Sequence, residues 1–278
     1  VSHQIPLGSF LLSNNPLHAL SSRAGALLFL RGDVSPAKEE LLVTENSAST
    51  LGAQLPLVMR CALLSKLGSS KAPVIITQNE TLKEKGCKQI VRTANETFFP
   101  TVRQAVGLKQ EPFLPDGTVV SATGELRLNS KTQLFQIITS RSEAILLAKE
   151  KQSEGRFLCV ANGNTAAAVY AGSLDAKALP ESGRILLLHL TDLKNDGAVF
   201  ADSSMTILKD SGKETLLLRK NQVKVELAYR HPCDLYACEI SGKRLWKIPV
   251  KNKAGKISFT MDNFVNGKAI LLYELVRK

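Results

Sequence analysis

The segment RILLLHLTDLKNDGAVFADSS, Arg184–Ser204, sets His189 inside an apolar run and follows it with Asp192. A histidine held by an aspartate is the base and orienter of nucleophilic catalysis, but that chemistry also needs a Ser or Cys placed on the base. No G-x-S-x-G elbow is present to supply one. The alternative is a sheet strand over Ile185–Leu190, with His189 packed or hydrogen-bonded in the interior and Thr191–Ser204 as a polar loop. The second reading accounts for the whole segment.

Other chemistry-bearing residues are dispersed. The five cysteines, Cys61, Cys87, Cys159, Cys233 and Cys238, form neither a metal-ligand spacing nor a C-x-x-C pair. If CDLYACEI is one strand, Cys233 and Cys238 point to opposite faces, which argues against a mutual disulfide. All five read as small buried hydrophobes. ANGNTAA has the wrong glycine count for a dinucleotide loop. The tripeptide Arg31-Gly32-Asp33 falls at an expected helix end, where glycine is the usual terminating residue. Asn79-Glu80-Thr81 and Asn95-Glu96-Thr97 fit the glycosylation sequon, which matters only in a eukaryotic secretory pathway. Trp246, Tyr236, Tyr229 and Tyr273 are the rings best suited to stacking on a sugar. At 5% aromatic content, core packing accounts for most of them.

Stepping out to the whole chain, 278 residues suffice for two domains or one large one. A hydrophobic fraction of 44% and a charged fraction of 22% are those of a chain with a buried core. The net charge of +11 is scattered. KETLLLRK and RKNQVKVELAYR interleave cations with apolar residues at strand spacing, which suits a solvated sheet face and not a nucleic-acid groove. Charge alone allows attraction to anionic polymers. No apolar run approaches the ~20 residues of a membrane-crossing helix. The start VSHQIPLGSF lacks the features of a signal peptide and an initiator methionine, so a processed chain or a piece of a longer one is expected.

The elements divide into two halves. Before about residue 115, helices and short strands alternate. A helix opens after Ser13-Asn14-Asn15 with Pro16 in its first turn, and Leu17, Leu20, Ala24, Leu27 and Leu28 form its apolar stripe. EELLVTE and APVIITQ read as strands, AQLPLVMRCALLSKLG as a second helix, and NETLKEKGCKQIV as a short polar helix. This order marks an α/β layer or part of a barrel, with too few strands to close eight. From about residue 117, short strands separated by Gly, Asn, Asp and Lys indicate a β-sandwich. LYACEI-SGKR-LWKIPV is a hairpin closed by a Ser-Gly turn.

Three stretches together, SRAGALLFLRGDVSPAKEELLV, GRILLLHLTDLKNDGAVFADSSMTILKDSG and DLYACEISGKRLWKIPV with KISFTMD and AILLYEL, resemble the C-terminal portion of large bacterial glycoside-hydrolase-like proteins. In those a (β/α) barrel is followed by β-sandwich domains. The resemblance implies an α+β multidomain chain. Residues 1–115 are expected to be the partial, barrel-like end, 116–228 a β-sandwich, and 229–278 C-terminal hairpins completing or adding to it. It also implies carbohydrate as the parent's substrate, a missing N-terminal catalytic region as partner, and a secreted or periplasmic location.

A glycosidase needs two carboxylates flanking the bond. No pair here matches a family motif. Glu45 and Glu80 follow strands as barrel catalytic groups do, although the simpler reading makes both loop carboxylates, with Glu80 in the first turn of a helix where its charge favours the dipole. The expectation is therefore accessory β-sandwich structure of a carbohydrate-active enzyme, this chain alone not being catalytic. The alternative is a glycan-binding or structural sandwich without an enzymatic parent. Trp246 and Tyr236 are the candidate sugar contacts, and no cofactor, metal, nucleic acid or membrane span is expected.

Overall fold

A computed structural model describes residues 15–36, 41–44, 74–77, 89–92, 118–121, 123–129, 131–202 and 207–278. The chain divides into two compact units, residues 35–134 and residues 1–34 with 135–278.

In the first unit, β1 (Leu41–Thr44), β2 (Val74–Thr77) and β3 (Gln89–Arg92) form a parallel sheet in that order. Leu42 aligns with Ile75, and Ile75 with Ile90. The first two, LLVT and VIIT, have the short, largely apolar sequences of parallel strands, and QIVR is apolar at its centre. The first two occupy the expected positions. The third corrects the C-terminal end of the short polar helix expected across residues 79–91, because Gln89, Ile90 and Val91 are extended; residues 79–88 lie outside the described residues. Adjacent β-branched residues there favour a strand over a helix. The helix expected over residues 53–68 lies outside the described residues, as do Glu45, Glu80, both sequons, Cys61 and Cys87. β4 (Thr118–Val120) and β5 (Leu126–Asn129) make an antiparallel hairpin, turned at Gly124, whose φ is +76°.

The second unit begins with α1 (Pro16–Leu30). The Asn15 side chain accepts from the amides of Leu17 (3.0 Å) and His18 (3.2 Å), and Pro16 occupies the first turn as expected. At the other end Asp33 N donates to Leu28 O (2.9 Å) and Gly32 N to Phe29 O (3.1 Å), with Gly32 at φ +59°. This is a Schellman closure, in which glycine takes the left-handed position without a Cβ penalty.

The strands that follow in the chain are β6 (Leu134–Ile138), β7 (Ser142–Leu147), β8 (Gln152–Glu154), β9 (Leu158–Ala161), β10 (Ala167–Ser173) and β11 (Arg184–Leu190). Two ribbons come next, β12 (Leu193–Asn195) with β15 (Leu216–Leu218), and β13 (Val199–Phe200) with β14 (Leu208–Asp210). The remainder are β16 (Gln222–Leu227), β17 (Cys233–Cys238), β18 (Arg244–Ile248), β19 (Lys251–Lys253), β20 (Lys256–Asp262), the pair β21 (Phe264–Val265) and β22 (Lys268–Ala269), and β23 (Leu272–Arg277).

These strands build an antiparallel β-sandwich. One sheet runs β18-β17-β23-β11-β10-β7-β6, the other β19-β20-β16-β9-β8. Residues 229–278 supply strands to both. In the larger sheet, Ala171, Leu187, Tyr273, Ala237 and Trp246 align as one cross-strand row. All of these but Trp246 are buried, as are Val223, Val225, Leu227, Ile257, Phe259 and Met261 of the smaller sheet. Each fully buried aliphatic or aromatic side chain contributes roughly 1.5–3 kcal/mol of hydrophobic burial. Polar groups tie the layers where they are buried. Tyr273 Oη donates to Asp262 O (2.7 Å), and Glu143 accepts from the amides of Phe157 and Leu158 (each 2.9 Å). The outer face of the larger sheet is covered in part by α1, where Leu17, Leu20 and Ala24 pack with Tyr170, Leu188 and Leu271.

Candidate functional site

A concavity lies at one end of the smaller sheet, where the turn after β9, the start of β16 and the end of β20 converge. Its volume is about 670 Å³, within the usual range of small-ligand sites. Three sequence fragments build it: Ala161-Asn162-Gly163-Asn164, Lys220-Asn221-Gln222 with Lys224, and Asp262 with Phe264.

A lattice of asparagines holds these fragments together. Asn162 Nδ2 donates to Ala148 O (2.8 Å) and Thr165 O (2.7 Å), which fixes its amide and leaves Oδ1 as the acceptor. Asn221 Nδ2 donates to that Oδ1 (2.9 Å) and lies 3.2 Å from His189 Nε2. Since Nδ2 can only donate, His189 Nε2 accepts, and the imidazole is neutral with its proton on Nδ1. Asn221 N donates to Asn263 Oδ1 (2.8 Å), and Asn263 Nδ2 donates to Thr191 Oγ1 and Arg219 O (3.0 Å each). These bonds leave Asn221 Oδ1 without a hydrogen-bond partner although Asn221 is only 4% exposed. It faces Gly163, where an added Cβ would sit 2.8 Å from it and 2.5 Å from Gln222 O.

His189 is fully buried, and desolvation pushes its pKa down to about 4, the charge of Asp262 opposing that only in part. The base–orienter pair considered from sequence does not form. His189 meets Asn221, whereas Asp192 is half-buried and pairs with Arg219 at 3.2 Å. His189 is the interior strand residue of the alternative reading. Above it, the Lys220 ammonium lies 4.2 Å from the Phe264 ring centroid, a cation–π contact on the cleft wall. Among the described residues, Asp262 is the only carboxylate lining the cleft, and its Oδ1 accepts from Phe264 N (3.0 Å).

The candidate sugar-stacking rings are not brought together. Trp246 belongs to the inward row of Ala237 and Tyr273, while Tyr236 aligns with Glu274 and Lys247 on the opposite face. Both are half-buried. Tyr236 lies beneath Arg244 (4.6 Å to the ring centroid). Tyr229 and Tyr273 are interior, their hydroxyls donating to Ser182 O and Asp262 O (2.7 Å each). The ring in the cleft is Phe264, which sequence reasoning did not single out. Neither did it single out Asn162, Asn221 or Asn263. Each is an asparagine at a strand end, a position so common in turns that it carries little signal.

Arg31-Gly32-Asp33 is also accounted for. Asp33 is buried, paired with Arg31 and with Arg141 Nε at 2.8 Å, and it accepts from Ser142 Oγ at 2.8 Å. The tripeptide is a helix terminus closed by an interior ion pair, not a presented loop. Among the described residues, no helix is long and apolar enough to cross a membrane, and no group of three or more His, Cys, Asp or Glu side chains gathers as a metal site would require. Comparison of the chain with family models, with curated proteins and with solved structures found no match.

Proposed function

We propose that this chain supplies accessory β-sandwich structure to a glycoside-hydrolase-like protein and contacts glycan without cleaving it. The observation that carries the reading is the polar cleft, in which amides, one aromatic ring and, among the described residues, a single carboxylate converge. Amides and an aromatic face match the hydroxyls and apolar face of a sugar. One carboxylate cannot perform the two-carboxylate chemistry of glycoside hydrolysis. The parallel pairing of β1, β2 and β3 supports the finer reading, in which residues 1–115 are the end of a (β/α) barrel.

A glycan microarray probed with the whole chain tests this, alongside Asn164→Ala and Gln222→Ala, two exposed cleft residues. Binding to a defined glycan set that both substitutions weaken is the expected result. Absence of binding to every glycan would leave only a scaffold role. Release of reducing ends by the isolated chain would refute the non-catalytic assignment.

A further inference from the structure

We infer that a second copy of this chain pairs with the outer edge of β15, antiparallel, around a two-fold axis at Leu217. Among the described residues β15 pairs only with β12. In that ribbon Asp196 N donates to Thr215 O (2.8 Å) and Arg219 N to Asp192 O (2.9 Å), so the backbones of Thr215, Leu217 and Arg219 turn toward β12. Alternation turns the N–H and C=O groups of Glu214, Leu216 and Leu218 the other way. Such an edge is a template for another strand. It is apolar on both faces, with Leu216 40% and Leu217 45% exposed. A two-stranded ribbon is marginal by itself, and pairing two copies makes a four-stranded sheet.

Other edges of the sandwich are guarded against this. β18 carries Arg244 and Lys247, and the smaller sheet ends in Lys-Asn-Lys at β19 and Gln-Ser-Glu at β8. Charges of one sign along an edge oppose pairing with an identical strand. β15 is Leu-Leu-Leu, with Glu214 before it and Arg219 and Lys220 after.

The register identifies the occupant. Outward-turned residues must oppose outward-turned residues, so the two-fold passes through a residue and not between two. At Leu216 it would set Lys213 against Arg219 of the second copy, a pair of like charges. At Leu218 it would set Leu216 against Lys220 and Leu217 against Arg219. At Leu217 it sets Leu216 against Leu218, Leu217 against itself, and Glu214 against Lys220 at both ends. Opposite charges facing across strands are favourable and like charges are not. The strand is complementary to its own copy.

Sedimentation velocity of the whole chain over a concentration series tests the inference. A reversible monomer–dimer equilibrium is expected, with a Kd of roughly 1–100 µM for so small an interface. Leu217→Lys should weaken it at least about tenfold, because it opposes two ammonium groups on the axis. Glu214→Lys and Lys220→Glu should each weaken it as far, since each sets like charges together twice. Mixed in equal amounts, these two variants should associate again, every reversed charge then meeting its opposite. All three positions are exposed, and thermal unfolding establishes that each variant folds. A wild-type chain still monomeric at about 1 mM would overturn the inference, as would a dimer indifferent to Leu217→Lys. If Leu217→Lys separates the copies but the mixed variants do not associate, the register is wrong and the inference also fails.

Discussion

The carboxylate of Asp33 lies 2.8 Å from Nε of Arg141, joining the closed end of α1 to the β6–β7 turn. Ser142 Oγ donates to Asp33 and lies 2.9 Å from Tyr170 Oη, while Arg141 Nη2 returns to Arg31 O at 2.6 Å. The carboxylate is wholly buried, and both arginines are mostly so. Removing one member of such a set strands the others without their counter-charge, which costs more than the set contributes against an apolar replacement. Asp33→Ala is therefore expected to lower unfolding free energy by about 3 kcal/mol. Urea denaturation with an unchanged m-value is the measurement. A loss under about 0.5 kcal/mol, the ordinary range for surface substitutions, would mean the pair does not hold the helix.

His189 gives the sandwich a pH dependence of known sign. Its folded pKa is near 4 because burial disfavours the imidazolium, against 6.5 for an unperturbed histidine. Between these values the unfolded chain binds a proton that the native state does not. Stability contributed by His189 is complete above pH 6.5, falls as pH drops to about 4, and is flat below. The shift corresponds to a loss on the order of 3 kcal/mol across that interval. His189→Gln should remove that slope between pH 4 and 6.5 in denaturation curves, whatever it does to absolute stability. Persistence of the full slope in the variant would assign it elsewhere.

Much of this architecture can be read from the residues, and the unread parts have physical reasons. Asn15, Pro16 and Gly32 announce both ends of α1, because capping and left-handed closure are local chemistry. The Ile185–Leu190 run identifies a buried strand, since its apolar length exceeds what a half-exposed strand would show. The third parallel strand is obscured because Gln89–Arg92 follows a lysine-rich polar stretch at helical spacing. The cleft is harder still. Asn162, Asn221 and Asn263 are each unremarkable turn residues along the chain. Only the pairing of β9 with β16 and of β16 with β20 brings them together. Phe264 is passed over because a single aromatic after a strand looks like core.

Gly163 sits where backbone approaches most closely. A Cβ there would lie 2.5 Å from Gln222 O, a backbone atom that cannot rotate away. Gly163→Ala should destabilise by about 1–3 kcal/mol, as overpacking does, and should widen the β9–β16 junction under Asn221. Weakened amide protection at Asn221 and Asn263 in hydrogen exchange is the accompanying sign. An alanine variant with wild-type stability and exchange would show that the close approach is not required.

Glu274 bridges two cations on the outward face, with Oε2 2.7 Å from Arg244 Nε and Oε1 2.8 Å from Arg184 Nε. Burial alone would raise its pKa, but the hydrogen bonds and charges of Arg244 and Arg184 outweigh that and hold it below the usual carboxylate value. The stabilisation is present above the ordinary value of 4.5 and is lost as pH falls through the lowered folded value. Glu274→Gln leaves two guanidinium groups facing each other and is expected to cost about 1 kcal/mol. That is below the value for a fully buried charged hydrogen bond because both arginines remain partly solvated. The loss should shrink in 1 M sodium chloride, where the Debye length is about 3 Å, since screening relieves the exposed Arg184–Arg244 repulsion. A cost that is identical in low and high salt would locate the effect in packing and not in charge.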